Sequence, residues 1–145
     1  MISLAIIFFI AVLHAPPEWI VVALGKNIDN NVLVVVCPIR AGDCVTCRAN
    51  QNQITDRLRN RINSSRKGTV VHVLSVVSCS RQRDGLRFAK DAQIESPYVI
   101  DEDNRRLQSI DSEDVLNRGV VVFWHDRMYK IVSVAQADRL LLTFR

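Results

Sequence analysis

Two strongly β-branched runs, Val32 to Val36 and Val70 to Val77, constrain this chain more than any other feature. Neither alternates cleanly between apolar and polar residues. Each therefore reads as a strand, and the first, unbroken by any polar residue, as one covered on both faces like the central strand of an α/β sheet with helices packed on either side. The first run follows a polar loop, Gly25 to Asn31, and is bounded by Pro38 and Gly42. Between the runs, Ile54, Leu58 and Ile62 recur every four residues. That spacing predicts a helix from Cys44 to Asn63 with one apolar stripe, ended by the Ser64-Ser65-Arg66-Lys67-Gly68 cluster.

The pattern continues downstream. A short helix is expected from Asp84 to Asp91 with Leu86 and Ala89 facing inward, then a strand from Tyr98 to Asp101 after Pro97, a helical turn from Asn104 to Ile110 and a strand from Gly119 to Trp124. His125-Asp126-Arg127 separates that strand from Met128 to Val134, and so short a loop favours an antiparallel hairpin. Strands alternating with helices and closing on a hairpin predict a mixed central sheet with flanking helices, a three-layer α/β sandwich. The chain of 145 residues has room for one such domain. Its 48% apolar and 23% charged content is that of a folded protein rather than a disordered one. The net charge of +4 is spread along the chain without interleaved aromatics, so no nucleic-acid partner is expected.

The N-terminus is different in kind. Ile2 to Leu13 is an apolar run, interrupted by His14-Ala15-Pro16-Pro17-Glu18 and resumed from Trp19 to Leu24. The first run has the length of a signal-peptide core and is shorter than the ~20 residues needed to span a bilayer; both together just reach. Residues 1–25 are thus expected to be a signal peptide or membrane anchor, with the folded domain from 26 to 145 and a cell-envelope location, periplasmic or membrane-anchored. The competing reading makes the same stretch a buried helix and an edge strand. No Lys or Arg precedes the run, and Pro16 directly after Ala15 is a poor context for cleavage there.

Cys44-Val45-Thr46-Cys47 falls between the first strand and the first long helix. A sulfur anion at a helix N-terminus faces unsatisfied backbone N–H groups and the positive end of the helix dipole, which favour the thiolate. Cys44 is the expected attacker and Cys47, one turn on, the residue that resolves the mixed disulfide. Such a pair needs no organic cofactor and no metal. Its partners are protein thiols or disulfides.

At this point the chain resembles a known family. Val32-Leu33-Val34-Val35-Val36 followed by Cys44-Val45-Thr46-Cys47 is similar to the strand, active-site loop and CxxC helix of thioredoxin-like redoxins, the thiol–disulfide oxidoreductase and peroxiredoxin-related group of bacterial envelopes. Pro97 to Asn104 resembles that group's inserted strand and acidic turn, and Val120 to Val132 its closing hairpin. The resemblance implies a thioredoxin-like fold and dithiol–disulfide exchange. Two positions depart from it. Asp43 stands where the family has an aromatic residue, and its charge either opposes a thiolate at Cys44 or caps the helix. Arg118-Gly119 stands where the family has a cis-proline before the hairpin. Pro97 would take that place only if Tyr98 to Asp101 were the hairpin strand.

Cys37 ends the first strong strand, and Cys79 lies just after the second. They read either as small buried hydrophobes or, with Cys44 and Cys47, as a second redox pair or sulfur ligands for a soft metal. A catalytically inactive binding protein of the same fold, using its cysteines for a metal or a structural disulfide, is therefore the rival to the oxidoreductase. A peroxidase is weaker, because the resemblance lacks that group's threonine-containing motif. His72, His125 and the Asp101-Glu102-Asp103 turn read as strand, turn and solvated loop residues, since neither a nucleophile–base pair nor calcium-loop spacing is present.

Overall fold

The structure, a computed structural model, describes residues 12–66, 68–110 and 119–143; the side chains of Val12, Val45 and Cys47 are not among what it describes. The elements run β1 (Val12–Leu13), α1 (Glu18–Leu24), β2 (Val32–Arg40), α2 (Val45–Ser65), β3 (Val70–Cys79), α3 (Gln82–Asp91), β4 (Tyr98–Glu102), α4 (Arg105–Ser109), β5 (Val120–Trp124), β6 (Arg127–Ile131) and α5 (Val134–Leu142). The strands form one mixed sheet in the order β1-β6-β5-β2-β3-β4. β2, β3 and β4 are parallel, while β5 lies antiparallel to β2, and β6 to β5.

Both faces of β2 are buried, as its unbroken run requires. Leu33, Val35 and Cys37 meet Ile54, Leu58 and Ile62 of α2 and Ala137 and Leu140 of α5. Val34 and Val36 meet the opposite layer, where Ile20 of α1 and Leu107 of α4 close a second core with Leu74, Val121 and Phe123. Two successive crossovers, β2-α2-β3 and β3-α3-β4, step across the sheet in one direction, and their shared handedness places α2 and α3 on the same face. The chain then returns past β2 through α4 on the other face. The expected three-layer α/β sandwich is the architecture found.

Several local expectations change. Pro38 lies inside β2 rather than ending it. Asn31 and Ala41 exchange backbone hydrogen bonds with β3 (Val70 N–H to Asn31, 2.8 Å; Ala41 N–H to Ser78, 2.8 Å), so the odd positions of β2 address β3 and the even ones, Pro38 included, point toward β5. The β2–β5 pairs end at Val36 and Val121, so the proline's missing donor falls where that ladder has stopped. In α3 Leu86 faces solvent instead of the core, and Gly85 takes the inward place. A Cβ at Gly85 would come within 2.8 Å of both Cys79 Sγ and Ile100 Cγ2, so only a glycine allows this approach.

The hairpin turn is two residues, His125 and Asp126, both at positive φ (51° and 57°), the geometry that matches strand twist. β6 therefore begins at Arg127 and ends at Ile131, and what reads as its continuation becomes helix α5. Ser133 caps that helix by accepting from Gln136 N–H, while Gln136 Oε1 accepts from Val132 N–H at 2.7 Å. Asp101 is no solvated acid. It is fully buried, and its two oxygens accept Arg106 N–H and Leu107 N–H, each at 2.9 Å, holding the start of α4.

The first apolar run falls largely on residues 1–11, outside the described residues. Beyond them, β1 pairs with β6, and α1 buries Ile20 fully against the sheet. The boundary expected at Lys26 thus falls between α1 and β2. Among the described residues no helix is long and apolar enough to cross a membrane.

Candidate functional site

The parallel strands β2, β3 and β4 all end at one edge of the molecule, where ligand and reactive groups gather in open α/β sheets. There β2 leaves the sheet through a turn from Arg40 to Asp43. Asp43 N–H donates to the Arg40 carbonyl at 2.9 Å and Asp43 Oδ2 accepts Arg40 N–H at 3.0 Å, so the carboxylate closes the turn that presents Cys44. Asp43 in this way braces the loop. Cys44 follows directly, is exposed, and immediately precedes the first residue of the 21-residue α2. Cys47 lies in the first turn of the same helix. The side-chain relation of the pair lies outside the described residues.

The other thiols do not converge on this point. Cys37 pairs in register with Ser75, four residues short of Cys79 on the neighbouring strand, a separation of roughly 13 Å along the sheet. No second dithiol is formed by these two. Among the described residues no group of three or more His, Cys, Asp or Glu side chains is placed to hold a metal ion. Cys37 lies under α2 with its sulfur 3.6 Å from Thr55 Oγ1. Burial pushes its thiol from 9.0 up to about 11, against the smaller opposing effects of the Thr55 hydrogen bond and the Arg59 charge. Cys79 is half-buried against Gly85, and its thiol is also pushed up, by burial first and by the charges of Glu102, Asp101 and Asp84, against a backbone hydrogen bond from Gly85.

Raising the pKa of Cys37 in the folded state makes it hold its proton where the unfolded chain has lost one. Its contribution to stability is complete below about 9 and is lost as pH rises toward 11. At pH 8 Cys44 is expected to alkylate rapidly in the folded chain while Cys37 resists until urea is added, read by intact mass. Equal labelling of the two in the folded state would contradict this placement.

Gln51 is the polar residue that organises the base of the site. It is 2% exposed, one turn beyond Cys47 on α2, and its Nε2 donates to the carbonyls of Pro38 (2.5 Å) and Gly119 (2.8 Å). Continuing the β2–β5 register by two residues sets Pro38 opposite Gly119. With no N–H on the proline, the amide of Gln51 supplies the donor that the ladder lacks. Helix α2 is in this way tied to the entrance of β5. Its sequence signal was the stripe itself: position 51 stands one step before Ile54, Leu58 and Ile62, and an amide on an apolar stripe marks a buried group that needs partners.

Gly119 closes the Arg118-Gly119 pair at which the resemblance sets a proline, and the hairpin that follows it is β5–β6. β4 pairs in parallel with β3 at the sheet edge, so the other register, with Pro97 before the hairpin, does not occur. The glycine has its own reason to be there. A Cβ would stand 2.1 Å from the Ile131 carbonyl oxygen and 2.8 Å from Val132 Cα, both backbone atoms.

The core β2-α2-β3, the returning hairpin β5–β6 beside β2, and α2 and α5 sharing a face define a thioredoxin-like fold, with Cys44-Val45-Thr46-Cys47 at the β2–α2 junction. Among solved structures the chain is similar to the thioredoxin domain of a thiol-disulfide oxidoreductase from Bacteroides vulgatus, with 13% identity, 94% of each chain covered and a TM-score of 0.49. It is also similar to a thiol:disulfide interchange protein from Bacteroides sp., with 16% identity, 90% of this chain and 84% of that one covered, and a TM-score of 0.40. No protein-family model and no curated protein sequence matches the chain.

Proposed function

We propose that the protein is a thiol–disulfide oxidoreductase in which Cys44 attacks and Cys47 resolves. The observation that carries this reading is the exposed Cys44 on a braced turn, immediately before the N-terminus of α2. Open helix N–H groups at that place favour an anionic sulfur, and exposure lets a partner disulfide approach it. The Cys44 thiolate bonds to one sulfur of the partner, the partner's S–S bond breaks, and the departing thiolate takes up a proton. Cys47, losing its proton, then attacks Cys44 sulfur and expels the second partner thiolate. The chain ends as the Cys44–Cys47 disulfide, oxidised by two electrons, and the partner ends as a dithiol reduced by two. Run backwards, the same steps oxidise a partner dithiol.

The partners are protein thiols or disulfides in an oxidising compartment, and the apolar run from Ile2 favours the cell envelope. Replacing Cys47 by Ser should leave Cys44 held in a mixed disulfide that survives non-reducing electrophoresis and disappears with dithiothreitol. The Cys44→Ser chain should form none. Failure of Cys47→Ser to capture either a protein or a small thiol would overturn the assignment.

A further inference from the structure

On the sheet face that carries α2, a cleft lies between α2 and the α3–β4 connection, floored by Cys37 and Ser75. Arg48 lines this cleft, and its Nε is the buried side-chain nitrogen that has no hydrogen-bond partner among the described residues. A buried guanidinium N–H left without an acceptor is costly, and the usual remedy is an anion or a carbonyl supplied from outside the chain. Arg48 is four residues after Cys44, roughly 6 Å along the helix axis, and side chains on a helix lean back toward its N-terminus. Arg48 therefore stands one helical turn from the residue that carries the attacking sulfur, at the end of the cleft nearest the start of α2.

The acids of the cleft lie elsewhere. Asp56 is two turns further along α2, roughly 12 Å from Arg48. Glu95 adjoins Ser96, whose hydroxyl is 2.9 Å from Ser75 Oγ; Ser75 pairs with Cys37 beneath Thr55, so Glu95 also stands roughly 10 Å down the cleft. Neither acid is a contact partner of Arg48, and the nearer carboxylate, Asp43, is held in the turn by Arg40 N–H. Arg59 lies deeper still, near Cys37.

We propose that the Cys44 end of this cleft is a substrate subsite, and that Arg48 selects disulfides carrying a carboxylate within a few bonds of the sulfur under attack. The inference rests on the assignment of Cys44 as nucleophile. It is tested on the full reduced chain with three small disulfides: dianionic 3,3′-dithiodipropionate, neutral 2-hydroxyethyl disulfide and dicationic cystamine. Each rate is divided by the rate of the same disulfide with the urea-unfolded chain. The folded protein should prefer the dianion over the neutral compound roughly tenfold at low ionic strength, with cystamine slowest. In Arg48→Met the ratio should fall to about one, and Arg48→Lys should keep part of it.

The same ratio in Arg48→Met as in the parent chain would overturn the proposal. If none of the three disulfides reacts, the nucleophile assignment fails instead. Octanedioate, the carbon isostere of the dianion, then tests the subsite by NMR titration. Saturable shifts in the parent chain that vanish in Arg48→Met support it, and their absence overturns it.

Discussion

Gly119→Ala should be the most damaging single substitution, with a loss of about 3 kcal/mol or more, enough to remove the folded baseline of a chain of ordinary stability. The added methyl would meet the Ile131 carbonyl oxygen at 2.1 Å, the Ile131 carbonyl carbon at 2.9 Å and Val132 Cα at 2.8 Å. These are main-chain atoms at the end of a strand whose Ile131 is paired with Val120, so no side chain can rotate away to relieve the contact. Relief requires parting β5 from β6, and with them the buried Val120 and Ile131 beneath α5. A urea titration followed by circular dichroism reads the effect as a midpoint far below that of the parent chain or as no transition. A midpoint unchanged within error would show that the close approach of Gly119 to β6 is wrong.

The second large effect is expected at Gln51. Methionine fills nearly the same volume, so Gln51→Met removes the amide without opening a cavity and isolates the hydrogen-bond contribution. It leaves the carbonyls of Pro38 and Gly119 buried without the donor they now share. One unsatisfied buried group costs about 1–3 kcal/mol, and the two share a single site, so a loss of about 2–3 kcal/mol is expected. Parent-like urea stability with Gln51→Met would show that the two carbonyls are satisfied in another way.

The parts of the molecule that the sequence made legible are those governed by long apolar patterns. Val32 to Val36 had to be an inner strand because no polar residue interrupts it, Val70 to Val77 had to be a strand because its β-branched residues dominate, and the stripe Ile54, Leu58, Ile62 had to be a helix packed on the sheet. The position of Cys44-Val45-Thr46-Cys47 between β2 and α2 was legible because a four-residue motif at a strand-to-helix junction is local. What escaped depended on partners distant in sequence. Pro38 looks like a strand terminator, yet it is tolerated because its N–H would have pointed at a ladder that had already ended, with Gln51 covering the gap.

Asp101 sits among acids and looks solvated, but it is buried because α4 folds back onto it and offers two N–H donors. Helix α5 was legible in principle. Ser133 and Gln136 have capping-box spacing, and Val134, Ala137 and Leu140 follow at helical intervals, but the β-branched Ile131-Val132 just before them extends the strand pattern and masks the break. Leu86 and Gly85 exchanged places because a helix packed closely on a strand buries its smallest residue, which no hydrophobicity pattern signals.

The reduction potential of the Cys44–Cys47 couple tests the central assignment most directly. The full chain, freed of metal, is equilibrated across a series of glutathione ratios, its thiols are alkylated, and the Cys44–Cys47 peptide is quantified by mass. Exchange chemistry predicts a reversible two-electron transition between about −270 and −120 mV, the span of known dithiol oxidoreductases, and the value gives the direction in which the protein works. The absence of a reversible transition, or one below about −300 mV where structural bridges lie, would contradict a catalytic dithiol.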